Sequence, residues 1–431
     1  MKISKIIGAL ILVSAPFFAK AQVAPFNVAP RLFDQTDENT LGLDEAPGAQ
    51  TFTVFAPSAA TDHFSHGVVM AQFKGALYCM WQSSAQDEDG DDTWVAYARS
   101  TDGGETWSQP MTLAQDIDNG YCTSGGWWVT SDRLVAYINE WHTNMSPKGG
   151  FTRYVMSTDG MTWTSPQPVT MSDGTPLDGV MEQDPHALAD GRIISAAHFQ
   201  PGTMVCPIYT DDALGISGWK KGAFDATNKG TSTREMEPSL YLRGDSIIMI
   251  FRDQNSTYYK LASVSTDRGE TWTKAVITNM PDSRQKQSAG NLPDGTAFFA
   301  GCPILQKVRY PLTLTLSEDG YLFNRAWLLR SRDSSKPMRY AGKNKHDHYY
   351  SYPKSLVTND YLYVAYATNK EDVEYTRIPI SAITTTIATV RTKNTTIDAS
   401  SPVYNISGTR MMPGKLPKGI YIQHGRKFVV K

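Results

Sequence analysis

Histidine, arginine and tyrosine carry most of the chemistry available to this chain, and they recur in two kinds of place. Seven of the eight histidines (His63, His66, His142, His186, His198, His346 and His348) fall on the lead-in to an apolar strand or at the end of the strand after it. Only His424, near the end of the chain, does not. The same places hold Tyr121, Trp141, Arg234, Glu237, Arg252, Arg284, Lys286, Arg309, Tyr349, Tyr350, Tyr352 and Lys370. Arginine can grip a carboxylate through two parallel charge-assisted bonds. Histidine and tyrosine can move a proton. Together they could hold an anionic group and move a proton beside it. Taken singly, each residue also has a plainer reading. A lone rim histidine is more often a surface or hydrogen-bonding group, Asp87-Glu88-Asp89 is most simply a solvated turn, and the tyrosines are equally readable as packing at an axis.

What must position these residues is a repeat. Six tight turns are flanked by apolar alternation: Lys74-Gly75, Ser131-Asp132, Asp190-Gly191, Gly244-Asp245, Asp294-Gly295 and Asn359-Asp360. Each precedes a strand. A second motif runs in step with them. It reads Ser100-Thr101-Asp102-Gly103-Gly104-Glu105-Thr106-Trp107, and returns as Ser157 to Trp163 and as Ser265 to Trp272. Weaker copies are Thr210-Asp211-Asp212 leading to Gly218-Trp219, and Ser317-Glu318-Asp319-Gly320; the starts lie 57, 53, 55 and 52 residues apart. A β-rich period of about 50 predicts a propeller, one small sheet per repeat. In each motif Ser and Asp bond the turn's own backbone, Gly supplies positive φ, and Trp plugs the hairpin base. Six repeats are visible, and Thr51–Phe55 is expected to complete another blade by pairing with the strand Val373–Ile380, which would remove the open sheet edge. The expected fold is all-β, a six- or seven-bladed propeller with a small C-terminal β tail. The Ser/Asp motifs join third to fourth strands on one face. The His, Arg and Tyr positions fall on the opposite rim, where a pocket is expected.

Other features bound the reading. A formal net charge of −2 gives no sign of nucleic-acid binding. Lys2 and Lys5, the apolar run Ile6 to Phe18, and Ala19-Lys20-Ala21 form a secretory signal over residues 1–21. No other stretch is long and apolar enough to span a membrane. Cys79, Cys122, Cys206 and Cys302 are widely spaced, which favours buried thiols over bridges and gives no metal-binding pattern. The propeller is assigned to residues 22–390, and a linker and tail to residues 391–431.

The repeated motif resembles the Asp-box of the sialidase superfamily. On that resemblance Glu237, ahead of Pro238-Ser239-Leu240, corresponds to the family's Tyr-activating glutamate. Arg252 and Arg309 correspond to two arginines of its carboxylate-binding triad. Tyr350 or Tyr352, ahead of Ser355-Leu356, corresponds to its nucleophile. The match departs at the first arginine, where the chain reads Pro30-Arg31-Leu32-Phe33, and Arg377-Ile378-Pro379 lies at the wrong end. No general-acid aspartate is identified.

A second resemblance covers the first and last blades. His66, Phe73-Lys74-Gly75, Trp81 and Asp87-Glu88-Asp89, with Tyr352-Pro353 and Asn369-Lys370-Glu371-Asp372, resemble propeller ulvan lyases and rhamnosyl-glucuronate-cleaving enzymes. Gly419-Ile420-Tyr421, Gly425, Lys427 and Val429 resemble the C-terminal sorting domain of Bacteroidota secretion systems. The resemblances imply an exported enzyme of a Gram-negative bacterium that cleaves a bond at an acidic sugar. The leading substrate is a rhamnose–uronate linkage of a plant or algal polysaccharide. The implied cleavage is either an elimination, in which Arg or His neutralises the carboxylate, Tyr or His removes the adjacent proton and an acid serves the leaving oxygen, or a hydrolysis, in which a His or carboxylate positions water or a carboxylate pair acts. A divergent exo-sialidase and a non-catalytic glycan-binding propeller are the alternatives. The implied catalytic set is His66, Tyr350, Tyr352 and Glu237. The implied substrate-binding set is Arg252, Arg309, His142, His186, His198, His348 and Lys370. No catalytic metal or cofactor is expected, and a structural divalent ion is left open. The implied partners are an acidic oligo- or polysaccharide and, through the tail, the secretion machinery.

Overall fold

A computed structural model describes residues 23–181, 184–227, 232–384, 401–405, 407–412, 416–423 and 426–430. The signal-like segment 1–21, the linker stretch 391–400 and His424 lie outside the described residues. The chain divides into two compact units, Met1–Ile380 and Ser381–Lys431.

The first unit is a propeller. Among the described residues it has six antiparallel sheets, five of them each drawn from one continuous stretch of chain. Blade one comprises Phe64–Phe73, Ala76–Ser84, Trp94–Ser100 and Met111–Ala114. Blade two comprises Gly120–Val129, Leu134–His142, Gly149–Ser157 and Gln167–Pro168. In blade three the first strand is split into Gly179–Met181 and His186–Ala187, ahead of Ile193–Phe199, Met204–Thr210 and Lys220–Lys221. Blade four comprises Glu235–Arg243, Ser246–Asp253, Tyr259–Ser265 and Val276–Pro281. Blade five comprises Ser288–Asn291, Ala297–Gly301, Leu312–Ser317 and Arg325–Arg330. Blade six comprises Tyr350–Val357, Tyr361–Thr368 and Asp372–Pro379. Its outer strand is Gln50–Phe55, which pairs with Asp372–Pro379 as expected but completes the sixth blade and does not add another. Each blade packs on the next, and blade six on blade one, so the ring is closed.

The apolar core lies between blades. Val69, Tyr78 and Met80 of blade one meet Leu134 and Ala136 of blade two, and Tyr363 and Tyr375 of blade six meet Leu77 and Cys79 of blade one. Both faces of these sheets are covered, which is why strands such as Ile193–Phe199 are apolar without clean alternation. The four cysteines are free thiols.

The Ser/Asp motifs sit where third strands end. Ser100 Oγ donates to Asp102 (2.7 Å) and accepts from Gly104 N (2.9 Å); Ser265 repeats this with Asp267 (2.8 Å) and Gly269 N (2.9 Å). Trp107 and Trp272 close the turn by donating to Gly104 O (3.1 Å) and Gly269 O (3.0 Å), while Trp163 reaches Tyr97 instead. In the weak copy of blade three Asp212 takes the acceptor role, from Ile216 N and Ser217 N. Antiparallel order puts the end of a third strand on the same edge as the end of the first. The starts of first strands and the ends of second strands therefore share the opposite face.

In the second unit Val403–Asn405, Arg410–Met411, Gly419–Gln423 and Arg426–Val430 form one antiparallel sheet. Among the described residues no helix is long and apolar enough to cross a membrane.

Candidate active site

A repeated irregularity of the inner strands builds the site. In blades one, four and six the first strand carries a bulge, two residues opposing one. The bulge residues are Gly67, Glu237 and Tyr352, and all three have left-handed backbones, with φ of 62°, 48° and 54°. Pro238 and Pro353 follow the latter two. Proline has no N–H for the ladder, so within a strand it is accommodated at a bulge. The bulges turn Glu237 and Tyr352 out of the pleat and toward each other.

The Tyr352 hydroxyl donates to Glu237 Oε1. Arg252 Nη1 donates to Glu237 Oε2 (2.7 Å) and to the Tyr352 hydroxyl (3.3 Å). From below, Glu237 N donates to His198 Nε2 (3.1 Å), which assigns that nitrogen as unprotonated. Burial raises the Glu237 carboxyl, but the charges of Arg252 and Lys286 and the bonds from Tyr352 and Arg252 prevail and hold it at about 2. Burial, and then the Glu237 charge, push the Tyr352 hydroxyl well above the ordinary phenol value. At rest the pair is therefore phenol and carboxylate, with cations round the ring. The Arg309 guanidinium lies 5.0 Å and Lys286 Nζ 5.7 Å from the Tyr352 ring centroid.

His66 packs on the other side of Tyr352, with ring centroids 4.2 Å apart. It is 2 % exposed, and neither ring nitrogen has a hydrogen-bond partner among the described residues. The nearest carboxylate, Glu88, stands 3.8 Å from Nε2, beyond hydrogen-bond reach. Burial, and then the charges of Lys370, Arg309 and Lys286, drive the imidazole well below its usual value, so it is neutral. Glu88 instead pairs with Lys370 Nζ at 2.7 Å.

Two cavities meet at Tyr352. One, of about 420 Å³, is walled by His66, Tyr121, Trp141, Lys148, His198, Arg234, Glu237 and Lys286. The other, of about 460 Å³, is markedly basic, with Arg252, Arg284, Lys307, Arg309 and Lys370 against Glu88. The arrangement can bind an anionic group and exchange a proton at Tyr352.

Of the residues singled out from sequence, His66, Glu237, Arg252, Arg309, Tyr352, His198 and Lys370 come together here. Four do not. Tyr350 is buried elsewhere, its hydroxyl donating to Ser331 O (2.8 Å), so of the two candidate tyrosines only Tyr352 faces the cavity. In an unbroken strand Tyr350 and Tyr352 would share a face; the bulge parts them. His142 packs on Phe151, and its neighbour Trp141 lines the cavity instead, as strand alternation requires. His348 Nδ1 bonds Ser335 Oγ (2.7 Å). His186 lines a separate cavity of about 390 Å³ at the far ends of the inner strands, with Trp128 and Val357. Glu88, read as part of a solvated turn, reaches into the site. Nothing in a run of three acidic residues marks the middle one as inward. Pro238 and Pro353 were the available signal for the bulges. The exposed Arg31 lies outside both cavities.

A model of the BNR repeat-like domain matches residues 75–364. Among curated proteins none matches the sequence. The fold is similar to that of a protein of unknown function from Dyadobacter fermentans, at 14% identity and a TM-score of 0.56, covering 77% of this chain and 99% of that one. It is similar to a Hadza microbial sialidase, at 15% identity and a TM-score of 0.61, covering 77% and 69%. It is also similar to the intramolecular trans-sialidase from Ruminococcus gnavus, at 14% identity and a TM-score of 0.55, covering 79% and 99%.

Proposed function

The chain belongs to the BNR repeat-like domain family, and on that premise we propose that it is an exported enzyme cleaving a glycosidic bond at an acidic sugar. One observation carries the reading: the Tyr352 hydroxyl rests on the Glu237 carboxylate, with Arg252 bridging both and further cations alongside. A sugar carboxylate has Arg309, Arg252 and Lys370 to grip it. As it binds it shares the cations that hold Glu237 down, so Glu237 becomes a better acceptor for the Tyr352 proton. The freed phenolate oxygen then either attacks the anomeric carbon as the glycosidic C–O bond breaks, with water later hydrolysing the tyrosyl–sugar bond, or removes the proton next to the sugar carboxylate as the C–O bond on the adjacent carbon breaks and a C=C bond forms; in both cases the leaving oxygen takes up a proton from water.

The substrate we favour is a rhamnose–uronate linkage of a plant or algal polysaccharide. The likeness of the first and last blades to enzymes of that kind supports it, as does the neutral His66 ring against Tyr352, available as a second proton carrier. A divergent exo-sialidase is the second reading, favoured by the Tyr352–Glu237 pair beside Arg252 and Arg309. The signal-like start and the sorting-like tail support export from a Gram-negative cell.

The test is a panel of uronate polysaccharides and sialosides. Released sialic acid and the ultraviolet absorbance of unsaturated uronates are followed together. New absorbance identifies elimination, and reducing ends without absorbance identify hydrolysis at a uronate. Release of sialic acid selects the second reading. Saturable binding without any cleavage would make the protein a glycan-binding propeller and overturn the proposal.

A further inference from the structure

The left-handed turn at Glu237 leaves a hydrogen-bonding problem that a neighbouring blade solves. Pro238 offers no N–H to the ladder, so carbonyls beside the bulge need another donor. Gln287, at the lead-in to blade five, supplies it. Its Nε2 lies 3.1 Å from each of Glu237 O, Ile250 O and Ser239 Oγ. Its orientation is not free. Gln287 Oε1 accepts from Lys260 Nζ (2.8 Å), and a lysine can only donate, so the amide nitrogen must face Glu237. Lys260 is fixed in turn by Asp282 (2.8 Å) and Gln285 O (2.7 Å). Asp282 also accepts from Asp253 N (3.0 Å), next to Arg252. Lys260, Asp282 and Gln287 are each at most 2 % exposed.

Blade one shows the minimal form of this device. There the bulge carbonyl, Gly67 O, accepts from Ser124 Oγ of the next blade. A single hydroxyl is enough beneath a glycine. Beneath Glu237 the chain uses a long amide locked by a buried ion pair. Such a pair is a poor source of stability, because desolvation offsets its attraction, and its plainest use is to hold one geometry.

We propose that Gln287, oriented by the Lys260–Asp282 pair, is the positioning residue that keeps the Glu237 carboxylate aimed at the Tyr352 hydroxyl. This rests on the reading of Tyr352 and Glu237 as the reacting pair. Gln287 does not line the basic cavity, so it sets the geometry of proton transfer and leaves the carboxylate grip alone.

Two variants test it. Gln287→Met keeps the length and removes the amide. Its crystal structure is expected to show Glu237 out of the left-handed region and its carboxylate off Tyr352. An unmoved Glu237 overturns the proposal, whatever the substrate. Gln287→Glu keeps an acceptor for Lys260 but has no N–H for Glu237 O. We expect kcat to fall by about 10²-fold, the scale of a small misplacement, with KM for the acidic sugar nearly unchanged. A lower melting temperature with wild-type kcat would make Gln287 merely structural and overturn the proposal. If Gln287→Met fails to fold, the structure of Gln287→Glu is read by the same criterion. If the wild type cleaves no glycan, the functional reading falls, while the position of Glu237 in the variant still decides this one.

Discussion

Tyr352 and Glu237 occupy the same step of two inner strands, and the hydroxyl of one meets the carboxylate of the other across 115 residues of chain. Both are bulge residues followed by proline, with φ of 54° and 48°. A non-glycine residue held there costs roughly 1–3 kcal/mol, and it persists only where surrounding contacts over-determine it. Arg252, His198 and Gln287 supply those contacts at Glu237.

Removing one oxygen tests the pair. Tyr352→Phe keeps the ring beneath Arg309 and beside His66, and Glu237 keeps Arg252. The cleavage rate is expected to fall about 10²–10⁴-fold, far more than the loss of about 1–3 kcal/mol of stability from the missing buried hydrogen bond accounts for, measured by steady-state kinetics and calorimetry. A near-normal rate would remove Tyr352 from the chemistry.

Arg309 Nη1 bonds Ser351 Oγ (2.9 Å) and the guanidinium borders the basic cavity. Arg309→Ala is expected to weaken binding of an acidic sugar by about 2–5 kcal/mol, read by titration calorimetry. Binding of the corresponding neutral sugar should not change. Arg309→Lys keeps the charge but loses the planar fork, so it should fall between the two.

Lys370 predicts an alkaline limb. Burial, and then the Arg309 charge, lower its ammonium to about 8, against opposition from Glu88. The folded state thus releases a proton near pH 8 that an unfolded lysine keeps to 10.5. Between those values the unfolded chain binds more protons, so this group's contribution to stability rises with pH there and is lost again as pH falls. Affinity for an anionic sugar moves the other way, weakening as pH rises through about 8. Lys370→Gln should flatten that limb in binding measurements against pH. A limb of unchanged shape would assign the titration to another group.

The Ser/Asp turns are expected to matter for the fold and not for the reaction. Ser265→Ala leaves the buried Gly269 N–H without its acceptor and should cost about 1–3 kcal/mol in urea unfolding. kcat/KM should stay at the wild-type value; a large kinetic loss would contradict the assignment of these motifs to the far face.

The propeller was legible because its signals are local. A Ser–Asp–Gly–Trp turn completes its bonds within eight residues, from Ser100 to Trp107, and a Lys74-Gly75 hairpin needs only two residues with positive φ. The rim that holds the site follows from strand order. Six residues of the candidate catalytic and binding sets besides Tyr352 line the two cavities: His66, Glu237, Arg252, Arg309, His198 and Lys370.

Sequence alone therefore determined the architecture, the closing pair of Gln50–Phe55 with Asp372–Pro379, and the face on which the His, Arg and Tyr positions gather, because each is written in short-range turn chemistry and a regular period. Tertiary structure decided which side chains on that face converge. It separated Tyr352 from Tyr350, put Trp141 in the wall in place of His142, sent His186 to another cavity and turned Glu88 inward. The physical reason is that a bulge breaks the two-residue alternation on which a sequence reading of strand faces depends, and ring closure sets distances between segments more than a hundred residues apart.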